Sequence, residues 1–246
     1  MKDFSTDYGV ISAWENDSVI VRAMEGGKLF EQDEVERHLF EHVRAARTIL
    51  DIGGHIGSHT VMYHKMNPSA TIHAFEPQRR MFELLEVNIA RTCDPGRVFA
   101  HWCAVGHRVG DARMSNTVSD GPSPGRPIQY GSYEGHNLGG LGLGKDGEEV
   151  GMTTIDALAL SGCDFIKIDV EGFEPLVVIG AAKTIAEFHP VICFECNEKT
   201  ITADMCEFFG FTQGDIKTTK ELLESMGYGV RPTAEGSENF IALWKP

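Results

Sequence analysis

The chain has 246 residues with 22 basic and 36 acidic side chains, a formal net charge of −14, and it is 42% hydrophobic and 24% charged. This composition is typical of a folded globular protein and excludes a disordered chain. No run of about 18 apolar residues is present that could span a membrane. The length allows one large domain, or one domain with a small appendage.

The charge and the cysteine content also bear on partners and location. Basic residues are scattered, with Arg79-Arg80 as the only adjacent pair, so we expect no nucleic acid or anionic membrane as a partner. A neutral or cationic small molecule suits this charge better. The N-terminal residues lack a secretory signal, and six cysteines are too few for a disulfide scaffold. We therefore expect a cytoplasmic protein with reduced thiols.

The first 47 residues predict an extension of strands and a helix that packs on the core. Residues 9–24 predict two strands, GVISAW and SVIVRAM, joined by a turn at Asn16-Asp17. Residues 31–47 predict a helix. Its apolar positions at helical spacing are Val35, Leu39, Phe40 and Val43.

From residue 48 onwards, strands alternate with helices. The predicted strands are 48–52, 70–75, 98–102, 164–169 and 191–195, and the predicted helices are 58–66, 78–91, 175–186 and 217–226. A closing pair of strands at 228–231 and 239–244 has no helix between them, so the two should pair antiparallel at one edge. The alternation predicts an α/β fold with a doubly wound sheet, mostly parallel with an antiparallel edge strand.

A glycine-rich segment interrupts this alternation between the third and fourth parallel strands. Residues 121–147 hold nine of the 27 glycines. A loop of this length is a tolerated surface insertion, a disordered segment or a lid, and its place in the sheet favours a lid over the ligand crevice. We therefore divide the chain into the extension 1–47 and a domain 48–246 that carries a lid at about 115–148.

A glycine-rich turn follows the first parallel strand as Asp51-Ile-Gly53-Gly54-His55-Ile-Gly57. Glycine lets the backbone approach a ligand closely, and the helix that follows offers amides to an anionic group. The spacing matches neither the GxGxxG dinucleotide pattern nor a phosphate-binding P-loop. The turn alone is a weak signal.

Two further strand ends suggest a nucleoside site. Glu76 ends the second parallel strand before Pro77, 25 residues after Asp51, where a carboxylate can accept hydrogen bonds from both ribose hydroxyls. The third strand ends in Trp102-Cys103-Ala104, which in an adenosine site on this sheet would flank the adenine.

Together these segments resemble the FkbM family. The matching stretches are DIGGHIGSHT at 51–60, AFEP at 74–77, FIKIDVEGFE at 165–174 and PVICFE at 190–195. Asn137-Leu-Gly139-Gly140 is similar to the family's N-x-G-G segment. Two positions depart from the family pattern, since His55 replaces a more frequent Asn and His59 a frequent aromatic residue.

The resemblance implies a methyltransferase of the class I Rossmann-like fold that uses S-adenosylmethionine and methylates a hydroxyl, often on a sugar or polyketide. We therefore expect a small-molecule or glycan acceptor as the partner. The cofactor-binding residues are then expected to be Asp51, Gly53, Gly54, His55, Gly57, Ser58, Thr60, Glu76, Pro77, Cys103, Ala104 and Asp169.

A hydroxyl acceptor needs a general base, or a metal ion that lowers its pKa. Asp169 and Glu195 end the fourth and fifth parallel strands, and their oxygens suit Mg²⁺ or Mn²⁺. Alternatively, Asp169 contacts the cofactor's amino group and Glu195 acts as a base without metal. A third alternative is that His136, in the lid, is the base.

Two other functions stay open on the sequence. A nicotinamide-dependent oxidoreductase would use the same sheet, although the glycine pattern counts against it. A non-catalytic nucleoside-binding protein would keep the fold without the chemistry.

Overall fold

The computed structural model describes residues 1–119, 124–130, 135–196, 206, 210–212 and 217–245. Its strands are β1 Lys2–Thr6, β2 Gly9–Ala13, β3 Thr48–Ile52, β4 Thr71–Phe75, β5 Val98–His101, β6 Ala104–Val105, β7 Gly110–Arg113, β8 Glu149–Thr153, β9 Phe165–Ile168, β10 Val191–Glu195, β11 Tyr228–Pro232 and β12 Asn239–Trp244. The helices of the described chain are α1 Ile20–Glu25, α2 Gln32–Glu34, α3 Phe40–Ala45, α4 Ser58–Met66, α5 Arg79–Thr92, α6 Glu174–Ile179, α7 Ala182–Phe188 and α8 Thr219–Ser225.

Seven of these strands form the central sheet in the order β5-β4-β3-β9-β10-β12-β11. Strands β5, β4, β3, β9 and β10 are parallel, and β12 runs antiparallel to β10. This confirms the predicted doubly wound, mostly parallel α/β sheet. After β3 the chain moves towards β5, and it later returns on the other side of β3 through β9. The point where the order reverses is where such sheets bind ligands, at the carboxyl ends of the strands.

The central strands are buried on both faces. In β3, Ile49 packs in one apolar cluster with α4 and the N-terminal hairpin, and Leu50 packs in another with α6 and α7. Alternate side chains of a strand point to opposite faces, so layers on both sides cover the sheet. This explains why β3 and β9 are continuous apolar runs in the sequence.

The closing hairpin places its more apolar strand inside the sheet. In β12, Ile241 and Ala242 are at most 1% exposed, and this strand pairs with both β10 and β11. Strand β11 takes the edge, where a residue such as Pro232, which lacks an N–H donor, is tolerated. Strand β12, which runs antiparallel to β10, therefore lies next to the edge of the sheet. Strand β11 is the edge strand and pairs antiparallel with β12.

The predicted strand SVIVRAM is wrong, since residues 20–25 form α1. Ile20, Val21 and Met24 are buried there, a spacing that a helix allows. A short apolar run does not distinguish strand from helix by periodicity. The true partner of β2 is β1, which was not predicted because Phe4 is its only buried residue.

Two predicted helices are interrupted. Residues 32–45 contain a π-helical turn at Val35–Leu39 between α2 and α3. The predicted helix 175–186 breaks between α6 and α7 near Gly180, where a Cβ would lie 1.9 Å from the carbonyl oxygen of Gly106. The close approach of another backbone therefore sets the break.

A small second sheet, β6-β8-β7, flanks the glycine-rich insertion. Strands β7 and β8 were not predicted. Residues 120–123 and 131–134 of the predicted lid lie outside the described residues. None of the helices in the described part of the chain is long and apolar enough to cross a membrane.

Asn88 of α5 joins three parts of the fold. Its Oδ1 accepts from the backbone N–H of Ser12 at 2.7 Å, and its Nδ2 donates to the carbonyls of Ser12 at 3.0 Å and Ile56 at 2.8 Å. The side chain is fully buried. It therefore holds β2 and the glycine turn at Ile56 against α5.

Replacing Asn88 by Ala should destabilise the protein by about 2–4 kcal/mol, because it leaves buried backbone groups without partners. The free energy of unfolding in urea measures this. Glu86→Ala, at an exposed position on the same helix, is the control and should change stability by less than about 0.5 kcal/mol. Equal stabilities of the two variants would contradict the assigned role of Asn88.

Candidate functional site

A cavity of about 540 Å³ opens at the carboxyl ends of the sheet. The strand ends that line it are Gly53 after β3, Glu76 after β4, Cys103 after β5, Asp169 after β9 and Glu195 of β10. The parallel strands thus bring these residues to one edge, as the sequence predicts. Because β3 lies centrally, residues after β4 and β5 form one half of the cavity and residues after β9, β10 and before β12 form the other.

The glycine turn is a tight backbone loop between β3 and α4. Gly53, His55 and Gly57 have left-handed φ angles of 81°, 50° and 87°. A Cβ on Gly53 would lie 1.8 Å from the carbonyl oxygen of Asp169, so only glycine fits there. The amides of Gly53 and Gly54 both donate to the carbonyl of Phe75 at 2.9 Å. These contacts fix the turn between β4 and β9.

Glu76 is buried at 4% exposure and faces the cavity. Its Oε1 accepts from the backbone N–H of Gln78 at 2.7 Å, and its Oε2 accepts from that of His55 at 2.8 Å. Burial raises the pKa of Glu76 to about 7, against the effect of these two hydrogen bonds. Each oxygen has a second lone pair, so the carboxylate can accept two further hydroxyls.

Lys167 is the buried cation beneath the centre of the site. Its Nζ donates to the carbonyl of Gly53 at 3.1 Å and to Asp169 Oδ2 at 3.0 Å, and it lies 3.7 Å from Asp51 Oδ1. Burial lowers the pKa of Lys167, but the carboxylates of Asp169 and Asp51 outweigh burial and raise it. The ammonium therefore stays charged and ties the ends of β3 and β9 together.

Three carboxylates meet at the other half of the cavity. Ligand oxygens of Asp169, Glu171 and Glu195 all lie within 4.8 Å of one another. Glu171 also accepts from Ser119 Oγ at 2.6 Å. Carboxylate oxygens are the ligands that hard divalent cations prefer. Among the described residues, these three carboxylates form the group that could hold a metal ion.

Most of the predicted site residues line the cavity. These are Gly53, Gly54, His55, Ser58, Glu76, Pro77, Cys103, Ala104, Asp169 and Glu195. The insertion adds lining residues on the same side of the molecule, among them Asn137 and Gly139.

Four predicted site residues, Asp51, Gly57, Thr60 and His136, are not among the cavity lining. Asp51 is fully buried below the turn and accepts from Thr60 Oγ1 at 2.5 Å. Gly57 precedes α4 with its left-handed backbone. Asp51, Gly57 and Thr60 therefore lie behind the residues that line the cavity, and their contact with a cofactor stays a prediction.

His136 is 2% exposed and lies against the N-terminal extension. Its N–H donates to the carbonyl of Asn16 at 2.8 Å, and its own carbonyl accepts from the N–H of Ser18 at 2.9 Å. The backbone of His136 is thus paired with the N-terminal extension, and the residue is not among those that line the cavity; its role as a base stays a prediction.

Sequence reasoning missed the contribution of the N-terminal extension. Glu31 lines the cavity, with Oε2 at 3.3 Å from His59 Nε2 and Oε1 accepting from Asn239 Nδ2 at 2.8 Å. Burial alone raises the pKa of Glu31, but bonds from His59 and Asn239 outweigh it and lower the pKa to about 2. Glu34 accepts from Ser237 Oγ at 2.7 Å and from Thr233 Oγ1. No local motif marks these contacts, since they join opposite ends of the chain.

A second histidine–carboxyl pair lies nearer the turn. His55 Nε2 is 3.4 Å from Asp17 Oδ2. Burial lowers the pKa of His55 to about 4 and raises the pKa of Asp17 to about 7. Near neutral pH the imidazole is uncharged and the carboxyl is only partly ionised, so this pair packs the extension onto the turn.

Two known proteins are similar to this chain in sequence. Methyltransferase 1 of Beauveria bassiana (strain ARSEF 2860) is 28% identical over 196 residues, which are 74% of this chain and 72% of that protein. The 31-O-demethyl-FK506 methyltransferase FkbM of Streptomyces tacrolimicus is 27% identical over 203 residues, covering 70% of this chain and 77% of that protein.

A solved structure shares the fold. The crystal structure of Methyltransferase FkbM from Methylobacillus flagellatus KT matches with a TM-score of 0.52 at 16% identity and covers 81% of this chain. The chain spans 44% of the length of that protein. The model of the FkbM methyltransferase domain matches residues 51–230, the region that contains the glycine turn, Glu76, Asp169 and Glu195. The chain belongs to the FkbM methyltransferase domain family.

Proposed function

We propose that the protein transfers a methyl group from S-adenosylmethionine to a hydroxyl of a sugar, a glycan or another small natural product. The observation that carries this proposal is one continuous cavity with two different halves. One half has the glycine turn and Glu76, which suit an adenosine. The other half has Asp169, Glu171 and Glu195, which suit a sulfonium and a polar acceptor. The name of the Streptomyces tacrolimicus relative, a 31-O-demethyl-FK506 methyltransferase, supports a hydroxyl acceptor.

In this proposal the bound cofactor supplies an electrophilic sulfonium methyl group. Glu76 would accept hydrogen bonds from both ribose hydroxyls, and Cys103 and Ala104 would flank the adenine. The backbone of the glycine turn would hold the amino-acid portion. Asp169 and Glu195 stabilise positive charge between the two halves of the cavity, because opposite charges attract strongly where water is excluded. The protein then mainly aligns the acceptor oxygen with the methyl group.

We propose that this chemistry runs without a resident metal ion. The trio of Asp169, Glu171 and Glu195 fits Mg²⁺ or Mn²⁺ by donor type. However, Lys167 already donates to Asp169 at 3.0 Å and supplies a fixed positive charge beside this member of the trio. A second cation would compete with this ammonium for the same carboxylate.

The affinity for S-adenosylhomocysteine should rise with pH up to about 7 and then level off. Ribose hydroxyls donate to the charged form of Glu76, whose pKa of about 7 must fall on binding, so binding releases a proton below that pH. Below this pH, the affinity should change by up to about tenfold per pH unit. Calorimetric titrations between pH 5.5 and about 8.5 measure it.

Glu76→Gln should remove this pH dependence and weaken binding at pH 8 by about 1.5–3 kcal/mol, the range for hydrogen bonds to charged groups. Glu86→Gln, an exposed position on α5, is the control and should bind as wild type does. Tight binding by Glu76→Gln would contradict the role of Glu76. NADH binding in place of S-adenosylhomocysteine would favour the oxidoreductase alternative.

Transfer of a labelled methyl group to hydroxyl compounds tests the proposal directly. Wild-type protein should label at least one member of a panel of monosaccharides, oligosaccharides and polyketide alcohols, with one S-adenosylhomocysteine formed per methyl transferred. Binding of the cofactor product without transfer to any nucleophile would favour the non-catalytic alternative. Transfer to amines or carbon alone would overturn the hydroxyl assignment.

Removal of divalent cations should leave this methyl transfer unchanged. The physical reason is that Lys167 supplies the positive charge beside Asp169. The measurement is the transfer rate after dialysis against EDTA, compared with the rate after adding Mg²⁺ or Mn²⁺. A rate that falls with EDTA and returns with metal would instead assign a cation to Asp169 and Glu195.

A further inference from the structure

His59 occupies the half of the cavity that faces the acceptor. It is the second residue of α4, directly after the glycine turn, and it lines the cavity. Glu31 bridges its ring to Asn239 at the start of β12. Since β12 lies beyond β9 and β10 in the sheet, the ring is on the opposite side of the turn from the residues that suit the adenosine.

Three contacts fix the orientation of this histidine and its partner. Its Nε2 is 3.3 Å from Glu31 Oε2, and its ring stacks on Tyr63 with 5.9 Å between centroids. Glu31 itself is held by Asn239 at 2.8 Å. The side chains of His59 and Glu31 remain 12% and 27% exposed, so the pair is ordered but open to a ligand.

The carboxylate decides which ring nitrogen carries the proton. Glu31, with a pKa of about 2, is an anion at neutral pH, and only an N–H can donate to it. Nε2 lies 3.3 Å from this carboxylate, so the contact favours the tautomer with its proton on Nε2, which leaves Nδ1 as an acceptor. Among the described residues none forms a hydrogen bond with this Nδ1. Two further charged groups interact with this pair. Lys167 contributes to lowering the pKa of Glu31, and His59 contributes to lowering the pKa of His55.

The other histidines near the site do not have this arrangement. His55 pairs with Asp17, whose pKa is raised to about 7 by burial, so its partner gives little support to an imidazolium. His136 does not line the cavity. His64, one turn further along α4, is 2% exposed and accepts from the backbone N–H of Asp94.

A histidine also matches the proton transfer better than the nearby carboxylates do. An ordinary carboxylate has a pKa of about 4 and is a weak base towards an alcohol, whereas a free imidazole near 6.5 is close to the working pH. Asp169 is in addition hydrogen-bonded to Lys167. A carboxylate behind the imidazole stabilises the cation that forms when the ring takes a proton.

We propose, on the basis of the proposed methyl transfer, that His59 oriented by Glu31 is the general base of the reaction. The acceptor oxygen forms a bond to the methyl carbon while the carbon–sulfur bond breaks, and its electron pair returns to sulfur. The hydroxyl proton moves to Nδ1 of His59, and the imidazolium pairs with the carboxylate of Glu31. After the products leave, the ring returns this proton to solvent.

The first test compares His59→Gln with His38→Gln, the same change at an exposed position outside the site. With an acceptor that wild-type protein methylates, His59→Gln should lower kcat by about 10²- to 10⁴-fold, while S-adenosylhomocysteine still binds in calorimetry. His38→Gln should keep wild-type values. Full activity of His59→Gln in a wild type that transfers methyl groups would overturn the role of His59 and leave the proposed function intact.

Glu31→Gln separates a positioning role from a merely structural one. Since the anion of Glu31 favours the imidazolium, its replacement by a neutral amide should move the acidic limb of the kcat profile to lower pH. A structural role would change kcat without moving this limb. If the acidic limb of the kcat profile stays at the wild-type pH in Glu31→Gln, the proposed coupling between Glu31 and His59 is overturned.

An independent measurement needs no acceptor. Proton–nitrogen NMR of histidine-labelled protein with S-adenosylhomocysteine bound should show the His59 ring, assigned by its loss in His59→Gln, with its proton on Nε2. A neutral ring protonated on Nδ1 would overturn the proposal. Failure of wild-type protein to bind S-adenosylhomocysteine would instead count against the proposed function.

Discussion

The close approach of Gly53 to Asp169 is the constraint on which the site depends. The two backbones meet where the strand order reverses, with room for no side chain on Gly53. Lys167 bridges them by donating to the carbonyl of one and the carboxylate of the other. On one side of this contact, the turn places the amide of His55 where it donates to Glu76. On the other side, it places His59 next to Glu31. Both halves of the cavity are thus set by one contact between β3 and β9.

The parts of the fold that were predictable from sequence are those with local signals. The strands at β3, β4, β9 and β10 are apolar runs followed by turn residues, and parallel strands necessarily gather Glu76, Asp169 and Glu195 at one edge. The resemblance of the motifs to a family added the identity of the cofactor. In contrast, β1 has a single buried residue, and the run at 19–21 fits a strand as well as a helix, so the N-terminal topology was mispredicted.

The half of the cavity lined by Glu31, His59 and Asn239 was not predictable for a different reason. Its shape comes from pairs such as Glu31 with His59 and Asn239, and Asp17 with His55, which share no sequence pattern. Glu31 has a left-handed φ of 58°, a conformation that no glycine signals here. The burial of His136 against Asn16 and Ser18 likewise follows from tertiary packing. Sequence patterns predict individual helices and strands, whereas the contacts of these residues depend on which helices and strands pack together.

The bonds from Glu31 and Glu34 to the hairpin at 233–239 close almost the entire chain into a loop, with a sequence separation of 208 between Glu31 and Asn239. A contact between residues so far apart in the sequence costs the entropy of closing a long loop. We therefore expect it to form after the intervening chain is ordered. The cofactor half, built from contiguous βαβ units, can therefore assemble first. The wall of the cavity that Glu31 and Asn239 form therefore comes from the two ends of the chain, whereas the half with Glu76 comes from one contiguous segment.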